Sequence, residues 1–83
     1  MTSAFLFLNA ELLFVEEVIN KLKEIPEIVA IFKVQGIYDI IIRVNSDTEE
    51  DLKELVSGRI RSIDKITGTV TVVIAKEIEG RKQ

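Results

Sequence analysis

Apolar and polar positions change their period several times along this 83-residue chain, and each change marks an element. Ala4 to Leu8 is a short apolar run, strand-like in length and aromatic content. From Leu13 to Ile25 the spacing lengthens. Val15, Ile19 and Leu22 fall at i, i+4 and i+7, Val18, Leu22 and Ile25 continue the stripe, and Glu16, Glu17, Lys21 and Lys23 lie between them. That pattern predicts an amphipathic helix. Pro26 stops it, because proline disfavours the helical region for the residue before it. Ile28 to Gln35 returns to a two-residue period, with Ile28, Ala30, Phe32 and Val34 on one side and Val29, Ile31, Lys33 and Gln35 on the other. Gly36-Ile37 is a connection of hairpin length, leading to a third strand over Tyr38 to Val44. Asn45-Ser46-Asp47-Thr48 is rich in helix-starting residues, and Ser46 with Glu49, or Asp47 with Glu50, has capping spacing. Leu52, Leu55, Val56, Ile60 and Ile63 mark a second helix. Gly58 inside it either costs about 1 kcal/mol relative to alanine or ends the helix early. Thr67-Gly68 reads as a turn, Thr69 to Ala75 as a fourth, β-branched strand, and Lys76 to Gln83 as a charged tail, frayed beyond Ile78.

The predicted order is β-α-β-β-α-β in a single domain spanning residues 1–83. Right-handed crossovers put both helices on one face of a four-stranded antiparallel sheet, the ferredoxin-like α+β arrangement. The second face should then be polar. It is not. Phe5 and Phe7 lie opposite Ala4, Leu6 and Leu8 in the first strand, and Val70, Val72 and Ile74 lie opposite Val73 in the last. An uncovered apolar face predicts dimerisation through that face.

Composition narrows the chemistry. Hydrophobic residues make up 47% of the chain and charged ones 30%, rich in apolar surface for so short a domain. A net charge of −3 argues against a nucleic-acid footprint, and the basic pair Arg81-Lys82 sits in the tail. Arg59 and Arg61 flank an apolar helical position and read as solvated. With no cysteine and no histidine, disulfides, thiolate or zinc sites and imidazole acid–base chemistry are excluded, and no cofactor is implied. No apolar run approaches a membrane span, and the start lacks a basic leader, so the chain reads as cytoplasmic. The acidic run Asp47 to Asp51 is explained by its place at a helix N-terminus rather than by a metal.

One carboxylate stands apart. Asp39 lies between Tyr38 and the run Ile40-Ile41-Ile42, and a charge in such surroundings needs a partner. With no catalytic company, it points to holding a small molecule rather than transforming one. The competing reading is an ion pair with Arg43, on the same strand face.

The element order together with Gly36-x-Tyr38-Asp39, followed by alternating aliphatics to Val44, resembles the effector-binding (RAM) domain of the Lrp/AsnC regulators. Asp47-Thr48 before the second helix and Thr69-Val70-Thr71-Val72-Val73 in the last strand support the likeness, which covers about residues 3 to 78. The resemblance implies dimers packed sheet to sheet and assembled into rings, often octamers, with an amino acid as effector between neighbouring dimers. It also implies an N-terminal helix-turn-helix domain, for which the first strand, beginning within a few residues of Met1, leaves no room. The expectation is therefore a stand-alone effector domain without direct DNA binding, able to join full-length Lrp/AsnC paralogues in mixed oligomers.

On that resemblance the ligand-binding residues are Gly36, Tyr38, Asp39, Thr69, Thr71 and Val73, with Val72 beside them. Each has a plainer role: Gly36 as a turn glycine, Tyr38 as packing, the threonines as good strand residues, and Val72 and Val73 as core. Three functions follow: an amino-acid-sensing module, an assembly module without a ligand, and a small dimeric ferredoxin-like enzyme. Only Lys33 and Asp39 are available for the last, and nothing pairs them.

Overall fold

The computed structural model describes residues 1–78 and Gly80; Gly80 apart, the expected fraying beyond Ile78 and the basic pair Arg81-Lys82 fall outside the described residues. Strand β1 spans Thr2–Ala10, and a single 3₁₀ turn at Leu12–Phe14 leads into helix α1, Val15–Leu22. Strands β2 (Ile28–Lys33) and β3 (Ile40–Ser46) follow, then helix α2 from Glu49, and strand β4, Ile66–Val73. The sheet order is β2-β3-β1-β4 with every pair antiparallel, the ferredoxin-like arrangement. Alternate residues of the two central strands, Leu6 and Leu8 of β1 with Ile40, Ile42 and Val44 of β3, are fully buried against Val18, Leu22, Leu52 and Ile60 of the helices.

The helix stripes form as expected. Val18, Leu22 and Ile25 are buried, and Val15 and Ile19 pack at their margin. Regular α1 ends earlier than the stripe does. Glu24 and Ile25 donate to carbonyls three residues back, at 3.1 Å each, so the chain tightens ahead of Pro26. Helix α2 does not break at Gly58. It has α geometry over Glu49–Glu54 and widens to π geometry over Leu55–Ile60. The Arg61 N–H accordingly reaches five residues back to the Val56 carbonyl at 2.9 Å. Five-residue bonding brings residues five apart onto one side, which lets Leu55 and Ile60 both face the sheet.

Four local expectations are corrected. The β2–β3 connection is not a two-residue turn but a loop over residues 34–39, closed by the Val34 N–H donating to the Asp39 carbonyl at 3.0 Å. A bulge at Val29 inserts one residue into β2, so Ile28 pairs with Val44 and Ala30 already with Arg43. That slip changes the phase of the strand. Ile28 and Ile31 pack on the core while Ala30 and Phe32 turn to the other face. Thr67-Gly68 is strand rather than turn, paired with the end of β1 across an irregularity at Asn9/Ala10; the chain reverses just before it, where Lys65 takes a φ of +78°. Helix α2 is capped by neither Ser46 nor Asp47. The Asp51 N–H donates to Thr48 Oγ1 at 3.0 Å, and the Ser46 hydroxyl instead donates to the Thr48 carbonyl at 2.8 Å.

The face away from the helices is bare. Register places Phe32, Ile41, Phe7 and Val70 in one row across all four strands, and Ala30, Arg43, Phe5 and Val72 in the next. Arg43 lies over the Phe5 ring, 5.7 Å from its centroid. The outer strands leave Phe32, Val70 and Val72 about half exposed. The cap assignment is checked by replacement. Thr48→Ala is expected to lower unfolding stability by about 1 kcal/mol in urea titrations at fixed protein concentration. Ser46→Ala leaves the Asp51 amide satisfied and should cost less.

Candidate functional site

The six residues expected to bind a ligand fall into two groups. Gly36, Tyr38 and Asp39 lie at the β2–β3 loop. Thr69, Thr71 and Val73 lie along edge strand β4, on the side of the sheet that carries the helices, because Thr69 pairs with buried Leu8, Thr71 with Leu6 and Val73 with Ala4. Tyr38 packs on Phe7, with ring centroids 5.4 Å apart, and Phe7 belongs to the bare face. Within one protomer the two groups border no common hollow: Asp39 lines one beside Leu12 and Leu13, and Thr69, Thr71 and Val73 line others.

At the loop, Gly36 takes a φ of +155°, a conformation L side chains rarely adopt, with open space where a Cβ would stand. The following Ile37 is almost fully exposed. Asp39 is half-buried and tied at three points. Its N–H donates to the Leu8 carbonyl at 3.0 Å, its carbonyl accepts from Val34, and its Oδ2 accepts from the Ala10 N–H at 2.9 Å. The last contact has a clear cause. Strand β3 begins at Ile40, so beyond Leu8 it offers no backbone carbonyl to the next inward amide of β1. The Asp39 carboxylate takes that place. Arg43 is not its partner, since it is held over Phe5.

The β4 group faces a groove. A hollow of about 510 Å³ runs between α2 and β4, with Leu52, Val56 and Val73 as its apolar lining and Thr71 on the strand side. Its charged lining residues are Glu49, Lys53 and Arg61. Arg61 also borders a second hollow of about 290 Å³ beside Thr69, so all three expected β4 residues follow one edge that passes Arg61. Sequence reasoning took Arg61 for a solvated surface residue and did not single out Lys53. Glu49 and Lys53, four residues apart, share a helix face and so carried a signal; Arg61, twelve after Glu49, did not. Arg59 turns elsewhere and lies 3.7 Å from Glu27.

A third hollow, about 370 Å³, has Glu27, Asp47, Asp51 and Glu54 in its lining together with Arg59. Among the described residues no group of three or more carboxylates is arranged to hold a metal ion, and no helix is long and apolar enough to cross a membrane.

The architecture is thus that of a small βαββαβ domain with a lined groove along one sheet edge. Residues 3–83 match the Lrp/AsnC ligand binding domain, and the chain belongs to that family. It is 29% identical over 73 residues to the HTH-type transcriptional regulator FL11 of Pyrococcus furiosus, covering 88% of this chain and 48% of that protein. The chain spans about half the length of the curated relatives it matches. Among solved structures, FFRP-DM1 superposes with a TM-score of 0.87 at 32% identity, over 89% of this chain and 99% of that one. The regulator NMB0573 of Neisseria meningitidis, solved as a complex with L-Met, shares the fold at 16% identity, with a TM-score of 0.86 over 95% of this chain and 53% of that one.

The role of Asp39 in the loop is open to direct test. Asp39→Ala strands the Ala10 amide and is expected to destabilise the domain by about 1–3 kcal/mol in chemical denaturation. Asp39→Asn keeps an acceptor oxygen and should recover most of that loss.

Proposed function

We propose that this chain is an amino-acid-binding regulatory module that assembles with copies of itself and takes its effector at a site completed between copies. The observation that carries the proposal is the bare sheet face. Two rows of side chains, Phe32, Ile41, Phe7 and Val70 and then Ala30, Arg43, Phe5 and Val72, lie on the face away from the helices and leave Phe32, Val70 and Val72 about half exposed. Burying side chains of this kind contributes roughly 1.5–3 kcal/mol each.

The division of the expected site residues supports the second half of the proposal. A ligand seated in the β4 groove of one copy meets the Gly36–Asp39 loop only if another copy supplies it. A ligand at such a junction favours the assembly that forms it, and the assembly raises its affinity by the same factor. An amino acid fits the family and the L-Met complex of the Neisseria regulator. In this reading the protein is regulatory rather than enzymatic. A chain without His or Cys offers no obvious acid–base or nucleophilic pair. A transcription regulator of the same family, joined in a mixed oligomer, is the partner the proposal names.

The test combines mass with thermal stability. Wild type is expected to scatter light as a dimer or a multiple of it. Phe32→Glu, a half-exposed residue on an outer strand, should shift it toward monomer without unfolding it. Melting in each of the twenty amino acids should rise with one or a few of them, since a ligand of the native state stabilises it by mass action. A monomeric wild type defeats the assembly claim. An oligomer whose melting no amino acid moves at millimolar concentration defeats the sensing claim.

A further inference from the structure

The groove between α2 and β4 carries three charged side chains. Glu49, Lys53 and Arg61 line it from the helix, and among the described residues none of the three lies within 4 Å of an opposite charge. The ion pairs that do form, Lys33 with Glu16, Arg59 with Glu27 and Lys65 with Glu11, lie elsewhere. Thr71 contributes a hydroxyl that makes no hydrogen bond among the described residues, whereas the Ser57 hydroxyl is committed to the Lys53 carbonyl at 2.8 Å. The apolar lining is modest, Leu52, Val56 and Val73.

We infer that the effector is an amino acid with a carboxylate side chain, aspartate or glutamate. The inference rests on the amino-acid reading above and narrows it. One carboxylate and two cations along this wall are the mirror of one ammonium and two carboxylates on the ligand; the Asp39 carboxylate that another copy brings is already bonded to its own Ala10 amide. Glu49 receives the ammonium, while Lys53 and Arg61 each take a carboxylate. The guanidinium of Arg61 presents parallel donors that fit a carboxylate in bidentate fashion. A neutral amino acid leaves one cation without a partner once the groove is covered. A basic amino acid sets a second positive charge against Lys53 and Arg61. Like-charge contacts of that kind act as discrimination, not merely as weaker attraction. The short apolar lining suits one or two methylene groups rather than a large aliphatic or aromatic side chain.

The experiment is calorimetric titration of the intact wild-type protein with L-glutamate, L-aspartate, L-leucine, L-methionine and L-lysine at one ionic strength. One acidic amino acid is expected to bind at least about tenfold more tightly than the neutral ones, the size of effect one desolvated charge-assisted contact supplies. Arg61→Gln should weaken its binding by about tenfold or more, and Arg61→Glu should abolish it and admit L-lysine. Both variants alter an exposed side chain, and their unfolding midpoints verify that the fold persists. If leucine or methionine binds as well as the acidic pair, the charge inference falls while the amino-acid module stands. Acidic binding indifferent to both Arg61 variants places the effector outside this groove and overturns the inference. If no amino acid binds, the broader reading fails with it.

Discussion

The structure depends on one shortage. An 83-residue chain has helices enough to cover one face of a four-stranded sheet and no more. The covered face takes the small, tightly fitted set: alternate Leu, Ile, Val and Ala positions of β1 and β3, closed over by Val18, Leu22, Leu52 and Ile60. The other face takes the large one, with Phe5, Phe7 and Ile41 on the central strands and Phe32 at one edge. A polar second face would make a self-sufficient monomer. In the proposed reading the three phenylalanines there are a boundary with the same face on a second copy.

The sheet's ends show how local repairs position the rest. The loop at residues 34–39 is wide, and its geometry is set by one side chain acting as backbone. Asp39 supplies the acceptor that β3, which starts at Ile40, does not provide for Ala10. Because its amide and carbonyl are bonded as well, Asp39 ties the loop to β1 and closes it on Val34. Tyr38 is thereby set over Phe7, and Gly36 and Ile37 are carried out to the tip. The charge that looked anomalous in the sequence is answered first by architecture. A loop held this firmly is also a well-positioned surface for whatever meets it from outside.

What was legible in the sequence was whatever repeats. The two helical stripes, the break at Pro26, the alternation of β1 and β3 and the element order all rest on periods sustained over several residues, and the structure follows them. What was not legible hinged on single residues. The bulge at Val29 adds one position to β2 and exchanges the faces of everything after it, a change no periodicity carries before the partner strand is known. Thr48, rather than Ser46 or Asp47, caps α2, because three adjacent residues have similar capping chemistry and only the backbone path chooses between them. Gly68 suggested a turn but lies in strand, since the reversal is made at Lys65 in a left-handed conformation that nothing in the sequence announces. The groove was half seen. Thr71 and Val73 were visible as strand residues, but Arg61 joins them only across the widened turn of α2, a distortion without a recognisable signature.

Strand β4 brings these observations together. Its residues alternate between two tasks: Thr69, Thr71 and Val73 face the helix side and the groove, while Val70 and Val72 face the bare side of the sheet. It is also an edge strand, bonded to β1 alone. In the proposed reading a ligand held against Thr71 and Val73 fixes the strand whose opposite side helps form the contact between copies. A one-residue slip of β4 would send each set to the wrong face, losing ligand and contact together. Binding and assembly would then be coupled through a single strand some 3.3 Å per residue long, with no wider rearrangement of the domain required.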